Sequence, residues 1–205
     1  MLLALTGGIA TGKSTVARLL AERHAWTAFD ADACVHHLLA SDSGVQAKIV
    51  AHFGPKVRRA DGSIDRTALR NRVFADPAAR RHLEGILHPL VRHRWKEQAA
   101  ECAAGGHNFL ADIPLLFETG AETCFDASLT VASCPATQAA RLAARGIKTP
   151  VAQAMLASQL PIEEKIRRAD HVVWNDGTEA TLARQVDLFL ELLFTDHHAG
   201  PLVPH

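Results

Sequence analysis

The chain has 205 residues and no formal net charge, with 22 Lys+Arg against 22 Asp+Glu. Hydrophobic residues make up 48% and charged residues 21%, an ordinary globular usage that excludes a disordered, collagen-like or fibrous chain. The charge balance argues against a strongly basic nucleic-acid binder, and no apolar run approaches the roughly 18 residues that span a bilayer.

Leu2-Leu3-Ala4-Leu5-Thr6 is a short apolar run ending in two glycines, which predicts a buried strand. It has no basic leader and is not read as a signal peptide. After Lys13, Val16, Leu19 and Leu20 recur at helical spacing to about Arg23. Trp26 to Phe29 reads as a second strand, closed by Asp30-Ala31-Asp32. Helices are predicted over Cys34–Ala40 and Val45–Phe53, and from an Asp65 cap through Val73. Asp76-Pro77 opens another, towards Leu87, and a separate helix follows Pro89 to about Ala103.

Gly105-Gly106 breaks that run, and Phe109–Ile113 is an apolar strand carrying Asp112 near its end. Ala127–Ala132 is a fourth strand, Pro135–Ala144 a helix, and Pro150 and Pro161 open two more. His171–Trp174 is the last strand, and Thr178 to about Phe194 a terminal amphipathic helix. The tail, Thr195–His205, is expected to be disordered, with metal binding by His197 and His198 as a lesser alternative. Trp26, Trp95 and Trp174 are expected to pack in cores. Cys34, Cys102, Cys124 and Cys134 form no CxxC pair and no zinc spacing, so free thiols in a cytoplasmic protein are expected.

Strands alternating with helices predict an α/β fold, a parallel sheet flanked by helices. Residues 1–194 are read as one domain, with helical insertions over about 33–103 and about 137–169.

The informative motif is Gly7-Gly8-Ile9-Ala10-Thr11-Gly12-Lys13-Ser14, followed by Thr15. Gly7, Gly12, Lys13 and Ser14 satisfy G-x-x-x-x-G-K-[ST] between a strand and a helix. Glycines let backbone amides close on a phosphate, and the helix start adds unpaired N–H groups. Lys13 suits the β- and γ-phosphates, and the Ser14 hydroxyl suits Mg²⁺. A chance glycine-rich turn is the plain alternative. No Asn-Lys-x-Asp guanine reader occurs, so a GTP switch is disfavoured. Asp30 and Asp32 lie where a parallel sheet presents ligands, although Asp32 could equally be a helix cap. Asp112 could serve Mg²⁺ or cap nearby amides.

Further stretches extend the pattern: Asp30-Ala31-Asp32; Asp61-Gly62 with Leu69-Arg70 and Val73-Phe74; Leu87-His88-Pro89; Ile113-Pro114-Leu115-Leu116-Phe117-Glu118; Gln159 with Glu163-Glu164-Lys165; and Ala169-Asp170 leading to Asn175 and Gly177. In this order they resemble the dephospho-CoA kinase family of P-loop kinases over about residues 1 to 194. The resemblance implies ATP-dependent phosphorylation of the ribose 3′-hydroxyl of dephospho-CoA, the last step of coenzyme A synthesis. It implies a P-loop core, a helical acceptor-binding region and a lid.

It also implies roles. Asp32 would be the base, with Lys13 and Arg141 also catalytic. Gly7, Gly8, Ala10, Thr11, Gly12, Lys13, Ser14, Thr15, Arg141, Arg145 and Asn175 would hold ATP. His88, Pro114, Leu115 and Glu118 would join Asp32 at the acceptor, and Ser14 and Asp112 would hold Mg²⁺. The expected partners are ATP and dephospho-CoA, not nucleic acid or membrane, with the protein a monomer or weak homo-oligomer. Gly146 stands where the family often has Asp, and Met155 where it often has Arg. One lid cation is then either missing or supplied by Arg167 or Arg168. The other readings are a different small-molecule P-loop kinase, or a nucleotide-dependent switch without transfer.

Overall fold

A computed structural model describes residues 1–147, 149–157 and 159–198. The chain forms two compact units: Met1–Phe29 with Cys102–His205, and Asp30–Glu101.

The first unit is built on a sheet of five strands: β1 (Leu2–Gly7), β2 (Thr27–Asp30), β3 (Phe109–Asp112), β4 (Ala127–Ala132) and β5 (His171–Trp174), in the order β2-β3-β1-β4-β5. β1 runs parallel to β3 and β4, and β4 parallel to β5. The register sets Leu5 beside Asp112 and Gly7 beside Val131, so β1 ends between two neighbours at the edge where the P-loop begins.

Because side chains alternate along a strand, the sheet has two distinct faces. Leu3, Leu5, Leu129, Val131 and Val173 join Val16, Leu19 and Leu20 of α1 (Lys13–His24) and Leu182, Val186 and Phe189 of α9 (Glu179–His198) in one buried cluster. On the other face, Thr130 donates to the Lys165 carbonyl at 3.4 Å. Lys165 belongs to α8 (Ile162–Arg168), which follows α6 (Pro135–Ala144) and α7 (Thr149–Ala157).

The second unit is helical: α2 (Ala31–Ser41), α3 (Ser43–Phe53), α4 (Arg66–Ala75) and most of α5 (Pro77–Ala104). Leu38, Val45, Ile49, Leu69, Leu87 and Trp95 are buried. Aspartates start α3, α4 and α5, and the sequence predicts those at Asp65 and Asp76. Asp42 accepts from Val45 N, Asp65 from Thr67 N and Ala68 N, and Asp76 from Ala78 N.

Three expectations need correction. The break at Pro89 is absent: α5 runs continuously from Pro77 to Ala104 with Pro89 inside it. Proline removes one backbone bond and crowds the carbonyl four residues back, at a cost of about 3 kcal/mol. Here that residue is Gly85, and burial of Leu87, Val91 and Trp95 on both sides of the proline offsets the loss. Trp174 is 45% exposed, because β5 is an edge strand whose alternate residues face outward while Val173 fills the core. The terminal helix continues past Phe194 to His198. Residues 199–205, and the side chains of His197 and His198, lie outside the described residues. No helix among the described residues is long and apolar enough to cross a membrane.

Candidate active site

The site grows from the turn between β1 and α1. Gly7 passes so close to β4 that a Cβ on it would lie 2.3 Å from the Val131 carbonyl oxygen. Gly12 has a φ of +98°, and a Cβ there would meet the Asn175 side-chain nitrogen at 2.2 Å. Both positions exclude larger residues, by contact and by a positive φ. Gly12 is also the cap of α1, and its carbonyl accepts from Thr15 N and Val16 N. The first N–H groups of a helix have no partner within it, which leaves the Lys13 and Ser14 amides to face an anion. Thr11 Oγ1 closes the loop onto the Gly8 carbonyl at 2.9 Å, and Lys13 Nζ lies 3.5 Å from the same oxygen. Ser14 is exposed on the first turn of α1, and Thr15 follows, half-buried.

Two other elements grip this loop. Arg141, in the last turn of α6, donates from Nη1 to the Ala10 and Thr11 carbonyls at 3.1 and 3.3 Å, and from Nη2 to the Asn175 carbonyl at 2.9 Å. Asn175 is buried after β5, and its side-chain amide donates to the Thr11 carbonyl at 2.8 Å. Gln138, buried on the same helix as Arg141, donates to the Ile9 carbonyl at 3.0 Å. Sequence reasoning missed Gln138. Its signal was a polar residue three positions before Arg141, which places both on one helix face. Arg145 is exposed and serves as the C-cap of α6, beyond the face that carries Arg141 to the loop.

On the other side of β1, Asp112 is half-buried at the end of β3. The chain then turns through Pro114 and Leu115, both half-buried, to Glu118. The Glu118 carboxylate accepts from Leu160 N at 2.9 Å and lies 3.0 Å from Lys165 Nζ. The proposed lid cations are engaged: Arg167 pairs with Glu164, while Arg168 pairs with Glu122 and lies over the Phe117 ring. Met155 is half-buried on α7, and Gly146 follows α6 at a φ of +72°.

In the second unit, the structure separates the two acids of the Asp-Ala-Asp motif. Asp30 caps α2, accepting from Ala33 N at 2.9 Å. Asp32 sits exposed in the first turn of that helix and is not its cap. His88 is half-buried on α5; burial lowers its pKa most, Glu84 opposes this, and Arg92 adds to it.

A family model described as dephospho-CoA kinase matches residues 1–181. The dephospho-CoA kinase of Anaeromyxobacter dehalogenans is 47% identical over 188 residues, covering 91% of this chain and 89% of the relative. The crystal structure of TT1252 from Thermus thermophilus superposes with a TM-score of 0.80 at 32% identity, covering 94% of this chain and 97% of that one. The dephospho-CoA kinase from Campylobacter jejuni gives a TM-score of 0.70 at 26% identity, covering 95% and 98%.

Proposed function

Because the chain belongs to the dephospho-CoA kinase family and phosphorylates dephospho-CoA with ATP in coenzyme A biosynthesis, we propose how its own residues divide that reaction. The P-loop, Gly7 to Thr15, binds the ATP phosphates through its backbone amides, with Gly8, Ala10 and Thr11 shaping the turn. Lys13 neutralises charge on the transferring phosphoryl group. Arg141 and Asn175 keep the loop in its binding shape and border the nucleotide, and Arg145 extends the cationic side of that border.

The acceptor is the ribose 3′-hydroxyl. Its oxygen attacks the γ-phosphorus, a new P–O bond forms, and the bond to the β–γ bridging oxygen breaks to release ADP. Asp32 takes or orients the hydroxyl proton. In a loose phosphoryl-transfer transition state the placement of this carboxylate matters more than its basicity. Asp30, not Asp32, caps α2, which is consistent with this division of roles. Pro114, Leu115 and Glu118 of the first unit, and His88 of the second, are assigned to acceptor binding by the family resemblance.

Ser14, in the first turn of α1, and Asp112, at the end of β3, offer hard oxygen donors of the kind Mg²⁺ prefers. These two residues would hold the ion, which would supply positive charge to the transferring phosphate. The four cysteines are unpaired, which suits a cytoplasmic enzyme.

The observation that carries this reading is the P-loop held at Ala10 and Thr11 by Arg141 and Asn175. Incubating the chain with ATP, Mg²⁺ and dephospho-CoA tests it, with coenzyme A expected by mass. ATP hydrolysis without a phosphorylated acceptor would refute it.

A further inference from the structure

Lys165 lies in mid-α8 with a side chain that has no solvent exposure. Its Nζ donates to the Pro114 carbonyl at 2.6 Å and lies 3.0 Å from Glu118 Oε1. The Pro114 carbonyl also accepts from Thr6 Oγ1 at 3.3 Å, and Thr6 immediately precedes the first P-loop glycine. The same Glu118 oxygen accepts from Leu160 N, in the segment leading into α8. One hidden ammonium therefore ties together the end of β1, the Pro114–Glu118 segment and the approach to α8. Arg168, one turn further along α8, pairs with Glu122 and lies 4.8 Å from the Phe117 ring.

A buried charge is a poor device for stability alone. Desolvating the ammonium costs several kcal/mol, and an apolar residue of similar volume often serves as well or better. Burial pushes Lys165 below the usual lysine range, Glu118 opposes this, and the nearby Lys13 lowers it further. A charge kept against that cost, and coupled to the P-loop lysine, fits a geometric task. What it fixes is direction, because an ammonium with two oxygen acceptors sets their separation and orientation in a way a methyl group does not.

We propose that Lys165 is a positioning residue for phosphoryl transfer, which with Glu118 holds the Pro114–Glu118 segment in register with the mouth of the P-loop. Lys165 acts through Pro114 and Glu118 and needs no contact with substrate. The inference rests on the reading of Pro114 and Leu115 as acceptor-binding residues.

The test is steady-state kinetics on the full chain for wild type, Lys165→Met, Glu118→Gln and the double variant, with thermal unfolding measured alongside. Each single substitution is expected to lower kcat by about 10²-fold, the size of effect that slight misplacement produces. KM for ATP should stay close to wild type, since the P-loop contacts of Arg141 and Asn175 are untouched. The double variant should be no worse than the poorer single one, because the pair works as a unit. If Lys165→Met does not fold, Glu118→Gln, which preserves shape, carries the test. Folded variants with wild-type kcat, a defect confined to KM for ATP, or losses that multiply in the double variant would each overturn the inference. A wild-type chain that leaves dephospho-CoA unphosphorylated would overturn the underlying reading instead.

Discussion

Arg141 and Asn175 hold each other and the P-loop at once: the guanidinium donates to the Asn175 carbonyl at 2.9 Å, and the Asn175 side chain donates to the Thr11 carbonyl at 2.8 Å. Arg141 adds its own bonds to Ala10 and Thr11. Residues more than 30 positions apart in sequence thereby set the curvature of one phosphate loop.

Arg141→Ala should weaken ATP binding by about 10²-fold, as expected if the loop shape kept by its two bonds to Ala10 and Thr11, at about 1.5 kcal/mol each, must be restored on binding. Arg141→Lys keeps the charge and loses the fork, so it should restore only part of the affinity. Isothermal titration with a non-hydrolysable ATP analogue measures both. Wild-type affinity in the alanine variant would remove Arg141 from the nucleotide side.

Gly12→Ala combines a left-handed backbone with a collision against Asn175. Strain of about 1–3 kcal/mol is expected from the backbone alone. The variant should lose nucleotide binding and melt earlier than wild type. A thermal shift assay with and without ATP reads both effects, and an undiminished ATP-induced shift would contradict the geometry.

Substitutions at the two acids of the Asp-Ala-Asp motif should separate cleanly. Asp32→Asn should cut kcat by about 10²–10⁴ with ATP affinity unchanged, as loss of a proton acceptor predicts. Asp30→Ala removes the α2 cap and should cost about 1 kcal/mol of stability. Rapid-quench turnover and urea unfolding distinguish them; normal turnover in Asp32→Asn would exclude it as the base.

His88 makes stability depend on pH in a defined direction. Burial, the main cause, holds its folded pKa below 6.5, so below that pH the unfolded chain binds more protons than the folded one. Its contribution is complete above the unfolded value and is lost as pH falls through 6.5 towards the lower folded value. Urea midpoints at about pH 8 and about pH 5.5 should fall further apart in wild type than in His88→Gln. Equal separations would show that His88 is not the titrating group.

The sequence by itself determined the strands, the phosphate loop and the family pattern. Each was written locally: Leu2–Thr6 as an apolar run, Gly7 to Ser14 as a spaced motif, Asp65 and Asp76-Pro77 as helix starts. Local signals of this kind depend on backbone conformation and periodicity over a few residues, so they survive without knowledge of the rest of the chain. Pro89 shows the limit. Its local cost predicted two helices, and burial along both halves gave one. Only the tertiary structure decided which polar groups meet. It gave the α2 cap to Asp30, brought Gln138 onto the loop, set Arg141 against Asn175, and buried Lys165 between Pro114 and Glu118. Such pairings join residues far apart in sequence, and their geometry exists only once the sheet has placed β1 between β3 and β4.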